Sequence, residues 1–375
     1  MWQPQGFYNQ YVLRSPVILT GEKSMQGLYN YPSVKIAVIH GKSFSDRELF
    51  DLVFAKRSLR FIERSWKNEP DFEGLKDTIA QLEEYRPDTI IAVGGGSVID
   101  GSKLCRLLYE FPYYKLSDGR ISGDLLKTKF IAIPTTVGSG SEVSSAAVFV
   151  NHETRSKDMI IIHELQPDVI VYDKRYVENS PTRLLVASSL DAMAHILEGY
   201  VSKNENAFLD LMAEKGLSVF HDELQKLVDE KFSSINYDRL QYAGYIGGMV
   251  QNHCIVGAAH AIAHQLAFYG YSHAESVALL LPAVILSNAQ NDDVQQKYEK
   301  ISNSSGFDNY LEMTDFLRVL SERFGICDIK TDLKNLLNKL LKDNTFVENV
   351  KNDKGGRGNP VDITDEYIAK ISEMV

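Results

Sequence analysis

The 375-residue chain is poor in several things, and each scarcity removes a class of explanation. It holds three cysteines, Cys105, Cys254 and Cys327, odd in number and far apart. That excludes a disulfide framework and a thiolate zinc cluster, and it fits a reducing cytoplasm. Positive charge is in deficit: 40 Lys and Arg face 50 Asp and Glu, a formal net charge of −10. A positive stripe for a phosphate backbone is missing, so no nucleic-acid partner is expected. Long hydrophobic runs are missing too. The most apolar stretch, 277–286, is about half a membrane span and contains Pro282, so it reads as a buried core helix with no membrane partner. The first eleven residues have neither the basic start nor the apolar centre of a signal peptide.

What is present is an ordinary globular composition, 44% hydrophobic and 24% charged. Its length suits two or three domains at about 150 residues each. The first half alternates strand-like runs with helical patterns. KIAVIH at 35–40, TIIAV at 89–93, KFIAI at 129–133 and DVIVY at 168–172 are apolar and β-branched. Between the first two, residues 71–85 set Phe72, Leu75, Ile79 and Leu82 on one helical face, and a hairpin is expected around 151–158. This is the rhythm of a parallel sheet covered by helices. After about Ser180 no strand run recurs, and Ser180 with Pro181 reads as the cap and first turn of a helix. The chain is therefore read as an α/β domain over 1–180, of the dinucleotide-binding type, and an all-helical domain over 181–375. Residues 351–359 read as a solvated loop before a last helix capped by Thr364.

Three constellations carry chemistry. Gly94, Gly95, Gly96, Ser97 and Asp100 follow an apolar strand and open a helix over 97–109. Successive glycines there let backbone N–H groups approach a pyrophosphate, although the spacing is not the usual GxGxxG and a turn that binds nothing is the plainer alternative. PTTVGSGSE at 134–142, with Thr135, Thr136 and Ser139, follows another strand, and both loops would meet at the carboxyl edge of the sheet. In the helical half, Asp191, His195 and Glu198 share one helical face, while three of the nine histidines, His260, His264 and His273, follow in an apolar setting. Either half alone reads best as packing. Together they supply imidazole and carboxylate donors suited equally to Fe²⁺ and Zn²⁺.

The residues GGGSVID at 94–100, PTTVGSGSE at 134–142, LDAMAHILEGY at 190–200, GAAHAIAHQLAFYGYSHAESVALLLP at 257–282 and GNPVDIT at 358–364 resemble, in order, the iron-containing alcohol dehydrogenases, group III, whose broader relatives include glycerol dehydrogenase and dehydroquinate synthase. The resemblance implies a dehydroquinate synthase-like fold and one divalent metal on Asp191, His195, His260 and His273, with His264 a non-ligand histidine in the site. It implies that Gly95, Gly96 and Ser97 hold the pyrophosphate of NAD(P), that Thr135 and Thr136 lie near the nicotinamide, and that Lys157 reaches the ribose. It also implies a dimer. With cofactor on one half and metal on the other, reaction is expected in the cleft between them.

The expected chemistry is hydride transfer between NAD(P) and a small alcohol or aldehyde, with His264 relaying the proton. The alternatives are a sugar-phosphate cyclase or lyase without net redox change and a non-catalytic binder. Cyclase relatives use a Glu/His/His set with added lysines, whereas here Asp191 leads and no lysine precedes it from Leu184 onward. Departures from the family pattern are Ala274 and Glu275 after His273, Gln265 in place of a frequent proline, and a His260–His273 spacing one residue short. These lean toward a polar or functionalised substrate, such as phosphonoacetaldehyde or a keto-sugar acid. After the first strand, His40, Gly41, Lys42 and Ser43 offer no carboxylate to repel a 2′-phosphate, so NADPH is expected to be accepted.

Overall fold

The computed structural model describes residues 15–115, 126–153 and 156–375. These divide into two compact units, one ending at Ser180 and one beginning at Pro181. The first unit carries eight strands, β1 (Val17–Thr20), β2 (Lys35–His40), β3 (Ser58–Glu63), β4 (Thr89–Gly94), β5 (Lys129–Pro134), β6 (Ala146–Asn151), β7 (Ser156–Ile161) and β8 (Val169–Tyr172). Its helices are α1 (Arg47–Val53), α2 (Lys76–Tyr85), α3 (Gly96–Glu110) and the short α4 (Arg175–Glu178).

Six strands form one parallel sheet in the order β1-β8-β5-β4-β2-β3, and β6 pairs with β7 as an antiparallel hairpin. The central strands are apolar throughout because both faces are covered. Ala37, Ile39, Ile90, Ala92, Phe130 and Ala132 belong to one buried cluster, while Ile36, Val38, Ile91, Val93, Ile131 and Ile133 belong to another. Strands β1 and β3, which the sequence did not disclose, lie at the two edges, where half-exposed positions admit the Arg60 and Glu63 that broke the apolar pattern.

The second unit is helical throughout its described residues. Its longer helices are α5 (Thr182–Tyr200), α6 (Ala207–Val228), α7 (Tyr237–Cys254), α8 (Ala258–Leu266), α9 (His273–Asn288), α10 (Asp292–Ser304), α11 (Tyr310–Arg323), α12 (Lys330–Leu340), α13 (Asn344–Asn352) and α14 (Asp365–Met374). Helix α5 is buried continuously from Leu185 to Tyr200. The apolar run at 277–286 lies in α9 with Pro282 inside it, and no helix among the described residues is long and apolar enough to cross a membrane.

Two local expectations are corrected. Ser180 does not cap α5: the cap position is Pro181, and the Ser180 hydroxyl donates to the Thr135 carbonyl at 3.4 Å. The segment 351–359 is not a solvated loop. Asp353, Gly355, Gly356, Gly358 and Asn359 are buried, and Asn359 Oδ1 accepts the Ala258 amide at the start of α8. Four glycine and asparagine backbones are small enough to pack there, although the composition reads as polar. The Thr364 cap does form, its hydroxyl accepting from the Tyr367 amide at 3.2 Å.

Candidate functional site

In the sheet the chain runs outward from β2 to β3, but from β4 through β5 to β8 in the other direction. The reversal between β2 and β4 is the place where open α/β sheets leave a crevice for ligands at the carboxyl ends of their strands. Gly41 after β2 donates its amide to the Val93 carbonyl of β4 at 3.4 Å, and Thr135 after β5 donates to Gly94 at 3.1 Å. The two loops read from the sequence therefore lie side by side. A Cβ on Gly96 would stand 2.7 Å from the Ser139 Cβ, and one on Gly95 would stand 3.2 Å from Thr136 Cγ2. Only glycine at 96 lets the loops close on each other. Helix α3 starts here with Gly95 at its cap and no side-chain cap; the Val98 amide donates to the Gly95 carbonyl at 2.9 Å, and the Gly96 and Ser97 amides ahead of it are the ones an anion could meet.

Several of the other residues expected at the cofactor have partners within the protein. The Ser97 hydroxyl donates to the Asn68 carbonyl and accepts from Arg64 at 2.8 Å. Lys157 is buried and ion-paired with Glu69 at 2.7 Å. Ser43 and Lys42 are exposed beside Gly41. Asp100 is turned into the protein: its carboxylate accepts the Val148 amide at 3.2 Å and lies 3.6 Å from the buried Lys103 ammonium. Lys103 in turn donates to the carbonyls of Ser144 at 3.0 Å and Ala146 at 2.6 Å. Asp100 and Lys103, one turn apart, thus pin the end of the second loop to α3. This is a scaffold task rather than the cofactor contact expected for Asp100.

Glu142 belongs to the same buried network and accepts from the Tyr172 hydroxyl at 3.0 Å. Burial pushes its carboxyl up to about 7, against the hydrogen bond from Tyr172 and the charge of Lys103. The folded chain then keeps a proton that an unfolded glutamate releases near pH 4.5, so this group's contribution to stability falls as pH rises through about 4.5–7 and stays low above it. A shift of this size is worth about 3 kcal/mol. Urea unfolding of wild type and Glu142→Gln at pH 5 and pH 8 is expected to show this loss in the wild type alone; parallel pH dependence in the two proteins contradicts it.

In the helical unit, α5, α8 and α9 bring the second constellation together. His260 Nε2, His273 Nε2 and His195 Nε2 stand 3.4, 3.7 and 4.0 Å from Asp191 Oδ1. Donor atoms of Asp191, His195 and His260, all buried, lie within 4.8 Å of one another. Around a divalent ion with bonds of about 2.0–2.1 Å, tetrahedral donors are roughly 3.4 Å apart, close to the 3.4–4.0 Å at which the three imidazoles face Asp191 Oδ1, although His273 lies outside the tighter group of Asp191, His195 and His260. The donor set and its spacing fit such an ion. Burial alone would lower the His260 imidazole, but hydrogen bonds with Asp191 and Glu198 outweigh it and push it up to about 9. The two carboxylates favour a cation here.

His264 is set apart from this group. Its Nδ1 faces the Asp353 carboxylate at 3.1 and 3.2 Å, and its ring stacks on His273 with centroids 5.3 Å apart.

Comparison with known proteins accords with this geometry. Residues 16–174 match the iron-containing alcohol dehydrogenase family, and residues 185–374 match the C-terminal domain of the same Fe-containing family. The chain belongs to the iron-containing alcohol dehydrogenase family. An alcohol dehydrogenase of Thermococcus barophilus is 28% identical over 313 residues, 81% of each chain. An NADPH-dependent butanol dehydrogenase of Clostridium saccharobutylicum is 28% identical over 296 residues, 76% of this chain and 75% of that one. The solved iron-containing alcohol dehydrogenase of Thermococcus thioreducens superposes with a TM-score of 0.84 at 26% identity, over 96% of this chain and 97% of its own. The α/β unit followed by a helical unit is this family's fold. As a member, the chain is an oxidoreductase acting on CH–OH groups, with NAD(P) and a divalent metal, and the cyclase alternative is not favoured.

Within this iron-containing alcohol dehydrogenase, two residues surround the cluster of Asp191 and the histidines in ways the sequence did not reveal. Glu198 was visible on the Asp191 face, but its task was not. Its Oε2 lies 2.6 Å from His260 Nδ1, and its Oε1 accepts the Ala259 amide at 2.7 Å. A Cβ on Gly257 would lie 2.9 Å from Glu198 Oε1, so a glycine there admits the carboxylate. Asp353 lay in the segment misread as solvated. It accepts the amides of Gly355 at 2.8 Å and Gly356 at 3.3 Å and faces His264. The departures read as polar pocket walls are engaged by the scaffold: Gln265 Nε2 donates to Asp353 at 3.2 Å, and Glu275 accepts from Arg183 at 2.7 Å.

Proposed function

We propose that this dehydrogenase interconverts a small aldehyde and its primary alcohol using NADPH, with its divalent ion held by Asp191, His195, His260 and His273. The observation carrying the reading is the convergence of three imidazole Nε2 atoms on one buried Asp191 oxygen. When bound, the ion supplies a Lewis acid for the substrate oxygen and the nicotinamide supplies or accepts the hydride.

The chain's own residues do the rest. Glu198 accepts from His260 Nδ1, which fixes that ring with Nε2 turned to Asp191. A carboxylate only accepts, so Asp353 fixes the His264 proton on Nδ1 and leaves Nε2 to exchange the proton of the reaction. Gly95, Gly96, Thr135, Thr136 and Ser139 form the cofactor cradle, and Lys157 with Glu69 lines its ribose side. NADPH use is supported by Gly41, Lys42 and Ser43, which offer no carboxylate after β2.

Because Glu275 and Gln265 are held by Arg183 and Asp353, they give less support to a charged substrate than their residue types alone did. The test is kcat/KM at 340 nm with NADPH and NADH, over simple aldehydes, phosphonoacetaldehyde and keto-sugar acids. Higher kcat/KM for NADPH and for simple aldehydes is expected. Strict NADH use overturns the cofactor assignment, and turnover confined to the functionalised compounds overturns the substrate assignment.

A further inference from the structure

Arg64 follows β3 and is in none of the sequence motifs, yet it stands at the cofactor cradle. In the register of the sheet, His40 pairs with Glu63 of β3 and with Val93 of β4. The next residues, Gly41, Arg64 and Gly94, therefore come level at the carboxyl edge of three neighbouring strands. The Arg64 amide donates to the His40 carbonyl at 3.0 Å, which fixes its backbone beside the Gly41–Ser43 turn. Its guanidinium, half-buried, reaches past the end of β2, which lies between β3 and β4, to the start of α3: Nη1 donates to Ser97 Oγ at 2.8 Å and to the Asn68 carbonyl at 3.0 Å.

That position is electrostatically unfavourable in isolation. The first turn of α3 already carries positive partial charge, and a guanidinium against it is repelled. Nearby acids do not compensate by contact. Glu63 and Glu69 act on Arg64 through space, and among the described residues neither forms an ion pair with it; Glu69 is paired with Lys157 instead. Two held hydrogen bonds fix the fork at the first turn of α3, where an anion held by that turn would meet it. Guanidinium is the side chain whose geometry suits a phosphate monoester.

We propose that Arg64 is a specificity-determining ligand for the 2′-phosphate of NADPH. The inference rests on the cofactor reading above and adds to it the residue that makes the choice. Gly41 leaves room, since a Cβ there would meet nothing closer than Val98 Cγ2 at 3.7 Å, and Arg64 supplies the charge.

The test is direct binding to the full-length protein, followed by nicotinamide fluorescence, for NADPH and NADH with wild type, Arg64→Gln and Arg64→Lys. Gln keeps a donor without charge, and Lys keeps charge without the fork. Loss of a charge-assisted phosphate contact is expected to weaken NADPH by roughly 10–100-fold in Arg64→Gln, with NADH within about twofold of wild type and Arg64→Lys intermediate. Equal weakening of both cofactors would assign Arg64 to the pyrophosphate and overturn the proposal, as would unchanged NADPH binding. Competition on the wild type guards against a folding defect: 2′,5′-ADP is expected to displace NADPH better than 5′-ADP does, and the reverse order overturns the proposal. If wild type bound neither dinucleotide, the cofactor reading itself would fail, a result distinct from any of these.

Discussion

Asp191→Ala is expected to abolish turnover and to weaken divalent-metal binding by well over the roughly 10–100-fold that loss of a supporting residue costs. Asp191 is the only carboxylate among the four proposed donors, and the three imidazoles stand 3.4, 3.7 and 4.0 Å from its Oδ1. Removing it leaves three neutral rings facing a dication, without the charge that compensates the ion for leaving water. The cofactor cradle lies on the other unit of the chain. NADPH binding by Asp191→Ala should therefore match wild type within about twofold, because the substitution removes none of the cradle residues. Metal retention by chelator competition and dinucleotide binding together check this. Metal affinity close to wild type would remove Asp191 from the ligand set.

Glu198 should produce the second-largest effect, although it touches no substrate. Glu198→Gln is expected to lower metal affinity by about 10–100-fold, because an amide can no longer draw the His260 Nδ1 proton with a full charge. Glu198→Ala should add a loss of folding stability of about 2–5 kcal/mol, since it leaves the Ala259 amide and the His260 ring without their buried acceptor. The split between the two variants is the informative part. Metal affinity falling in both while unfolding free energy falls mainly in the alanine variant marks a positioning residue. Equal stability loss with unchanged metal affinity in both would reduce Glu198 to a helix-packing role.

The parts of this enzyme that follow short-range rules were legible in the sequence. β2, β4, β5 and β8 are central or covered strands, so their apolar runs stand out, and the glycine loops after β4 and β5 carry their chemistry in their composition. Asp191, His195, His260 and His273 were legible because two helices and a helix start each present polar residues in otherwise apolar surroundings. What was not legible depends on long-range placement. Asp353 meets His264 across 89 residues, and Glu198 meets His260 across 62, and no periodicity connects such pairs. The 351–359 segment misleads because lysine, aspartate and glycine are the composition of a solvated turn, whereas its backbone amides are spent on Asp353 inside the protein. Asp100 misleads in the opposite sense: it sits in a binding motif but serves the packing of α3 against β6. Arg64 lies outside every motif, and only the register of β2 with β3 brings it to the cradle.

The claim that this chain works as a metal-dependent dehydrogenase is tested most directly by stripping the protein of metal and following NADPH at 340 nm with a small aldehyde before and after adding Fe²⁺ or Zn²⁺. The account predicts no turnover in the stripped protein, recovery that saturates at one ion per chain, and no recovery in Asp191→Ala. Turnover of the stripped protein equal to that of the reconstituted one would contradict it.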